Sequence, residues 1–112
     1  MAQTNPPFMS GVPELLVLRL LAAKEMYGYE LVKAIRLATG EAIGLGEGVV
    51  YPSLYGLERK GALKARRKTV NGRSRVYYKV TAKGRRRLEE LTAEWQRVTE
   101  GIRAALGEPG RA

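Results

Sequence analysis

The sequence predicts a mainly helical chain with one two-stranded β hairpin and a long C-terminal helix. Three observations predict it. Apolar residues recur at helical spacing in four separate segments. One stretch, KTVNGRSRVYYKVT at residues 68–81, instead alternates Val76, Tyr78 and Val80 with Tyr77 and Lys79, the period of a half-buried strand. Within that stretch stands Asn71-Gly72, a strong hairpin signal, because a tight two-residue turn needs positive φ at both positions.

The elements follow in order. The first helix covers about Pro13 to Lys24. Pro13 suits a first helical position and Ser10 is near enough to share in the cap. Leu15, Leu16, Leu18, Leu20 and Leu21 wrap most of its circumference, so it should be buried on several sides. The second helix, about Gly28 to Thr39, carries Leu31, Val32 and Ile35 as its stripe and Gly40 as its stop. EAIGLGEG then forms a connector, with a short strand expected at Ile43 to Leu45. The third helix, about Gly48 to Lys60, has a core face of Val50, Leu54 and Leu57, at i, i+4 and i+7, and ends at Gly61. A strand from about Leu63 to Lys68 pairs with one from Ser74 to Val80. Thr81 is a good N-cap for the last helix, about Ala82 to Leu106.

Charge adds a second layer. The 112 residues carry a net charge of +9, and 45% of them are hydrophobic, which suits one folded domain with a modest core. Residues 1–58 hold four basic and six acidic side chains, residues 59–88 thirteen basic and none acidic, and residues 89–112 three basic and five acidic. The whole positive excess therefore sits in one block centred on the hairpin. A charged block is ordinarily a solvated face or a tail. This one also contains Leu63, Val76, Tyr77, Tyr78 and Val80, which a tail has no use for. A folded basic patch points to a polyanion, nucleic acid ahead of an anionic membrane.

Three helices followed by a hairpin is the order of a winged helix-turn-helix. The third helix can enter the major groove of double-stranded DNA, which is about as wide as a helix. The hairpin, or wing, then lies along the phosphate backbone, with Arg73 and Arg75 near its tip. With Val50, Leu54 and Leu57 inward, Pro52, Tyr55 and Arg59 point outward, Val49, Ser53 and Gly56 lie on one flank, and Tyr51 on the other.

At this point the residues resemble a family. YGYELVKAI at 27–35, EGVVYPSLYGLERKGAL at 47–63 and RVYYKVTAKGRRRL at 75–88 are similar to the signatures of PadR-type transcriptional regulators. The resemblance runs from about Gly11 to Leu106. It implies a homodimeric winged-helix repressor of the short form, with a single C-terminal dimerisation helix. It implies DNA contact from the run Val49 to Tyr55 and from the wing around Arg73 and Arg75. It places Tyr27 and Tyr29 near the DNA backbone or as braces for the third helix, with core packing an equal alternative. Many members respond to small aromatic compounds.

In the last helix Leu88, Leu91, Trp95, Val98, Ile102 and Ala105 alternate spacings of three and four, a heptad seam. Two copies around a two-fold axis can bury it, with the first helix of each subunit helping to cover the other's last helix. Trp95, the single tryptophan, is then either a large residue of the dimer interface or, as the resemblance implies, the wall of a pocket where a flat aromatic effector stacks. Leu15, Leu91, Val98, Phe8 and Met9 are the candidate neighbours. Some relatives carry an acid about one turn after the tryptophan; here Thr99 and then Glu100 stand there.

The expected division is residues 1–80 as the DNA-binding domain (1–10 flexible), 81–106 as the dimerisation helix and 107–112 as a disordered tail. There is no histidine and no cysteine, so the commonest general base, a thiol nucleophile and thiolate zinc ligands are excluded. GLGEG at 44–48 lacks the third glycine of a dinucleotide fingerprint and is read as a connector. No catalytic, metal or cofactor site is expected. The N-terminus has no signal-peptide pattern and Val12 to Ala23 is too short and too charged to span a bilayer, so a cytoplasmic location is expected. Two other readings compete with the regulator: a winged-helix adaptor for protein or RNA, and a small-molecule binder with only non-specific DNA affinity.

Overall fold

In a computed structural model, residues 11–107 are described. Four helices and three strands follow one another: α1 Val12–Ala23, β1 Met26–Tyr27, α2 Gly28–Ala38, α3 Glu47–Arg59, β2 Leu63–Val70, β3 Arg73–Val80 and α4 Ala82–Leu106. This is a winged helix-turn-helix with a long C-terminal helix. The expected cap residue Ser10 lies outside the described residues. Gly11, with φ +89°, stands at the N-cap of α1, and among the described residues no side-chain hydrogen bond caps that end.

The core gathers one face of each element. Val17 and Leu18 of α1, Leu31 and Ile35 of α2, and Val50 and Leu54 of α3 are fully buried, and β2 and β3 add Leu63, Tyr78 and Val80. All three residues expected on the inner face of α3 are there. Pro52 sits inside α3 and removes the backbone bond to the Gly48 carbonyl; Gly48 is exposed, so that carbonyl can hydrate.

The sheet is antiparallel with order β1-β3-β2. Two corrections arise here. The hairpin is not two-stranded alone, because Met26 and Tyr27 pair with Tyr78 and Tyr77 on the free edge of β3. The strand expected at Ile43 to Leu45 does not form. That connector is irregular, and Leu45 is buried as a plug in the core without any ladder. The turn is as expected, with Asn71 at φ 53° and Gly72 at φ 76°.

Three local devices fix the elements. Thr39 closes α2: its hydroxyl donates to the Ile35 carbonyl at 2.9 Å and accepts from the Ile43 amide at 3.1 Å. Gly28 lets α3 come close, since a Cβ there would overlap the Tyr51 ring. Thr81 caps α4 by accepting from the Gly84 amide at 3.1 Å, and donates to the Gly61 carbonyl at 2.6 Å. Gly84 presses on the start of β2, where a Cβ would meet the Ala62 carbonyl oxygen. The Thr81-to-Gly84 turn therefore roots α4 on the wing. A bidentate pair adds a second anchor: the Arg87 guanidinium donates to both Glu14 carboxylate oxygens of α1, at 3.0 and 3.3 Å. At the other end of α4, Gly107, expected in the tail, closes the helix at φ 76°; residues 108–112 lie outside the described residues. None of the helices is long and apolar enough to cross a membrane, among the described residues.

Candidate nucleic-acid interface

The register of the wing sorts its side chains into two faces. Leu63, Ala65, Arg67 and Thr69 lie opposite Val80, Tyr78, Val76 and Ser74. This inner face begins in the core and, towards the tip, opens into a cleft beside α3. Lys64, Arg66, Lys68 and Val70 lie opposite Lys79, Tyr77, Arg75 and Arg73 on the outer face.

The cleft encloses about 450 Å³ between α3 and the wing. Tyr51 and Tyr55 supply its α3 wall, with ring centroids 6.1 Å apart. Tyr55 is exposed, whereas Tyr51 is half-buried against Gly28, and its phenol is pushed up by burial and then by Glu47 and Tyr55. Tyr78 forms the floor, its phenol raised chiefly by burial. Arg67 and Ser74 supply the wing wall, tied by a 3.2 Å bond from the guanidinium to the hydroxyl. Tyr27, Tyr29 and Arg75 complete the rim. Arg75 stacks over the Tyr27 ring at 4.4 Å, and Tyr27 meets Tyr77 edge-on at 5.4 Å. Tyr29, exposed at the start of α2, carries Lys33 over its ring at 4.8 Å.

The sequence-predicted residues thus fall into groups. Tyr27, Tyr29, Tyr51, Tyr55 and Arg75 share one cleft. Pro52 and Arg59 are exposed on α3 as expected, and Arg73 stands at the wing tip opposite Val70. Val49 and Ser53 are half-buried on the flank, and the Ser53 hydroxyl donates to the Val49 carbonyl at 3.0 Å. Arg67, Ser74 and Lys33 escaped the sequence reading. For Arg67 and Ser74 the signal was available in the alternation of the wing counted outward from Leu63. The lining groups are guanidinium, phenol and hydroxyl, the types that bind phosphates and base edges.

A second hollow, of about 250 Å³, lies between α1 and α4. Leu15, Leu91, Trp95 and Val98 line it as expected, and Gly11, Val12 and Glu94 join them. Phe8 and Met9 lie outside the described residues. The acid at this hollow is Glu94, beside the tryptophan and not one turn after it. Thr99 is half-buried, with an inaccessible hydroxyl oxygen that has no hydrogen-bond partner among the described residues.

The seam of α4 divides. Leu88 and Leu91 are half-buried against the chain's own core, so that end is covered from within. Trp95, Val98, Ile102 and Leu106 stand 47, 41, 53 and 69% exposed.

The fold agrees with the comparisons. The family described as "Transcriptional regulator PadR-like family" matches residues 17–90. The transcriptional regulator Rv3488 of Mycobacterium tuberculosis is 31% identical over 94 residues, spanning 78% of this chain and 85% of that one. An uncharacterised protein of Lysinibacillus sphaericus is 35% identical over 88 residues, spanning 78% of this chain and 81% of its own. The crystal structure of a PadR-like transcriptional regulator from Bacillus cereus superposes with a TM-score of 0.79 at 28% identity, covering 93% of this chain and 100% of that one. Family match and fold converge, and the chain belongs to the PadR-like family of transcriptional regulators.

Proposed function

We propose that the chain is a homodimeric, ligand-responsive repressor that reads a palindromic operator in double-stranded DNA. One observation carries this reading. Tyr51 and Tyr55 of α3 and Arg67 and Arg75 of the wing line the same cleft. In the proposed complex α3 enters the major groove with Tyr55, Pro52, Ser53 and Val49 towards the bases. Arg67, Arg75 and Arg73 then meet the phosphates along the wing, with Tyr27 and Tyr29 nearby. Tyr51 braces α3 on Gly28. The exposed half of the α4 seam supports dimerisation through Trp95, Val98 and Ile102, while Leu88 and Leu91 root the helix. A two-fold axis would set two recognition helices about 34 Å apart, one turn of DNA. In this reading residues 1–80 bind DNA and residues 81–106 dimerise.

The hollow beside Trp95 is the proposed effector site. An aromatic ring stacked there gains about 1 kcal/mol beyond its area burial. Quenching of Trp95 fluorescence by planar aromatics is the expected result; a diverse panel without quenching contradicts an aromatic effector.

The test of the whole reading is fluorescence anisotropy at physiological salt on duplex DNA from upstream of the chain's own gene, with a shuffled duplex as competitor. Tight binding that prefers the native duplex by roughly 10³-fold or more is expected. Equal, weak binding to both duplexes, lost as salt rises, would favour the small-molecule binder with non-specific DNA affinity.

A further inference from the structure

The outer face of the wing holds more positive charge than the cleft, and one carboxylate has been brought to it. Glu25 precedes β1, far in sequence from the basic block. The pairing of Met26 and Tyr27 with β3 carries it to the base of the wing. There its Oε1 lies 3.0 Å from Lys68 Nζ and 3.6 Å from Arg66 Nη2. The Glu25 side chain is only 22% exposed. Lys68 is held from a second side, 4.4 Å over the Tyr77 ring. The Glu25 carboxyl is held below the usual carboxylate range, first by its hydrogen bond from Lys68, with Arg66 and Lys79 adding to the field.

A wing built only for affinity would leave these cations open, because each cation that reaches a phosphate releases counterions and strengthens binding to any sequence. Two of them are instead closed by a carboxylate, which also repels an approaching phosphate. The inner face has no such restraint: Arg67 is bonded only to the neutral Ser74 hydroxyl in the contacts described for it.

We propose that Glu25 restrains the wing: by holding Arg66 and Lys68 it withholds two of the outer-face cations from phosphate, and so suppresses binding to DNA of arbitrary sequence. This rests on the reading of the chain as a binder of duplex DNA. Glu25 is a specificity-determining residue that acts through two cations and touches no base.

The experiment is a salt series of anisotropy titrations on a random-sequence duplex, with the wild-type chain, Glu25→Gln, Lys68→Ala and the double variant. Far-UV circular dichroism and melting show that each variant is folded, and Arg66→Ala is a second probe of the same pair. Glu25→Gln should bind on the order of tenfold tighter at low salt, with a log–log salt slope steeper by about one to two. Lys68→Ala should be nearly silent alone and should cancel part of the gain in the double variant. Unchanged or weaker binding by folded Glu25→Gln overturns the proposal. So does a Lys68→Ala loss that is equal with and without Glu25, since Lys68 would then already be serving phosphate. Failure of the wild type to bind any duplex at low salt would overturn the DNA-binding reading itself and this proposal with it, a result distinct from the other two.

Discussion

The winged body and the outer half of α4 handle the same kind of residue in opposite ways. In the body, Val17, Leu18, Leu31, Ile35, Val50 and Leu54 are sealed from solvent by one another. Beyond Leu91 in α4, Trp95, Val98, Ile102 and Leu106 line one face and remain exposed. Composition does not separate the two regions, since both carry large apolar side chains at helical spacing. Closure does. The body has three helices and a sheet to fold around its apolar faces, whereas α4 extends beyond the body after about its first three turns, where among the described residues the start of α1 lies across an open hollow from Trp95 and Val98 and leaves them exposed. An apolar stripe that the chain closes stabilises the fold. A stripe that it leaves open at this length marks an association surface.

Substitutions can break that contrast from either side. Leu54→Ala should destabilise the fold most, by about 2–5 kcal/mol, because it opens a cavity in a sealed core; chemical denaturation measures it. Trp95→Asp should leave circular dichroism and the body's melting nearly intact while splitting the proposed dimer on size exclusion, since a charge would be buried only in the pair. Gly84→Ala tests the joint between the regions. Its methyl group has nowhere to go beside the Ala62 carbonyl, so a loss of about 1–3 kcal/mol is expected, with weaker dimerisation as α4 tilts.

Effects on function and on pH should be smaller. Replacing Arg67 and Arg75 together with Ala should weaken binding to all duplexes and lower the salt slope by about two, while Tyr55→Ala should shift site preference. Retention of full affinity and slope by the arginine variant would displace the wing from the phosphates. Smallest of all is the Glu25 pair. Its folded carboxyl lies below the usual range, so its contribution is full above that range and is lost as the pH falls through the folded value. The melting difference between wild type and Glu25→Gln should therefore be present at neutral pH and vanish in acid.

What was legible in the sequence was local. Asn71-Gly72 specifies its own turn, Thr81 its own cap, and α4 runs over the residues expected of it. What escaped depends on distant partners. Met26 and Tyr27 are too few to announce a strand and become one only on the free edge of β3. Leu45 shares the apolar pattern of a strand but is buried by packing alone. The alternation of the wing puts Arg67 on the face of Leu63, but that this face opens beside Tyr51 and Tyr55 follows only from the docking of the wing against α3. Glu25 gave no local sign of its role, because forty-three positions separate it from Lys68.

The most direct test is sedimentation velocity of the wild-type chain at micromolar concentration, without DNA. A single species of two chains is predicted, formed through the exposed half of α4. A stable, soluble single-chain species would contradict it, because among the described residues the apolar face from Trp95 to Leu106 stands exposed.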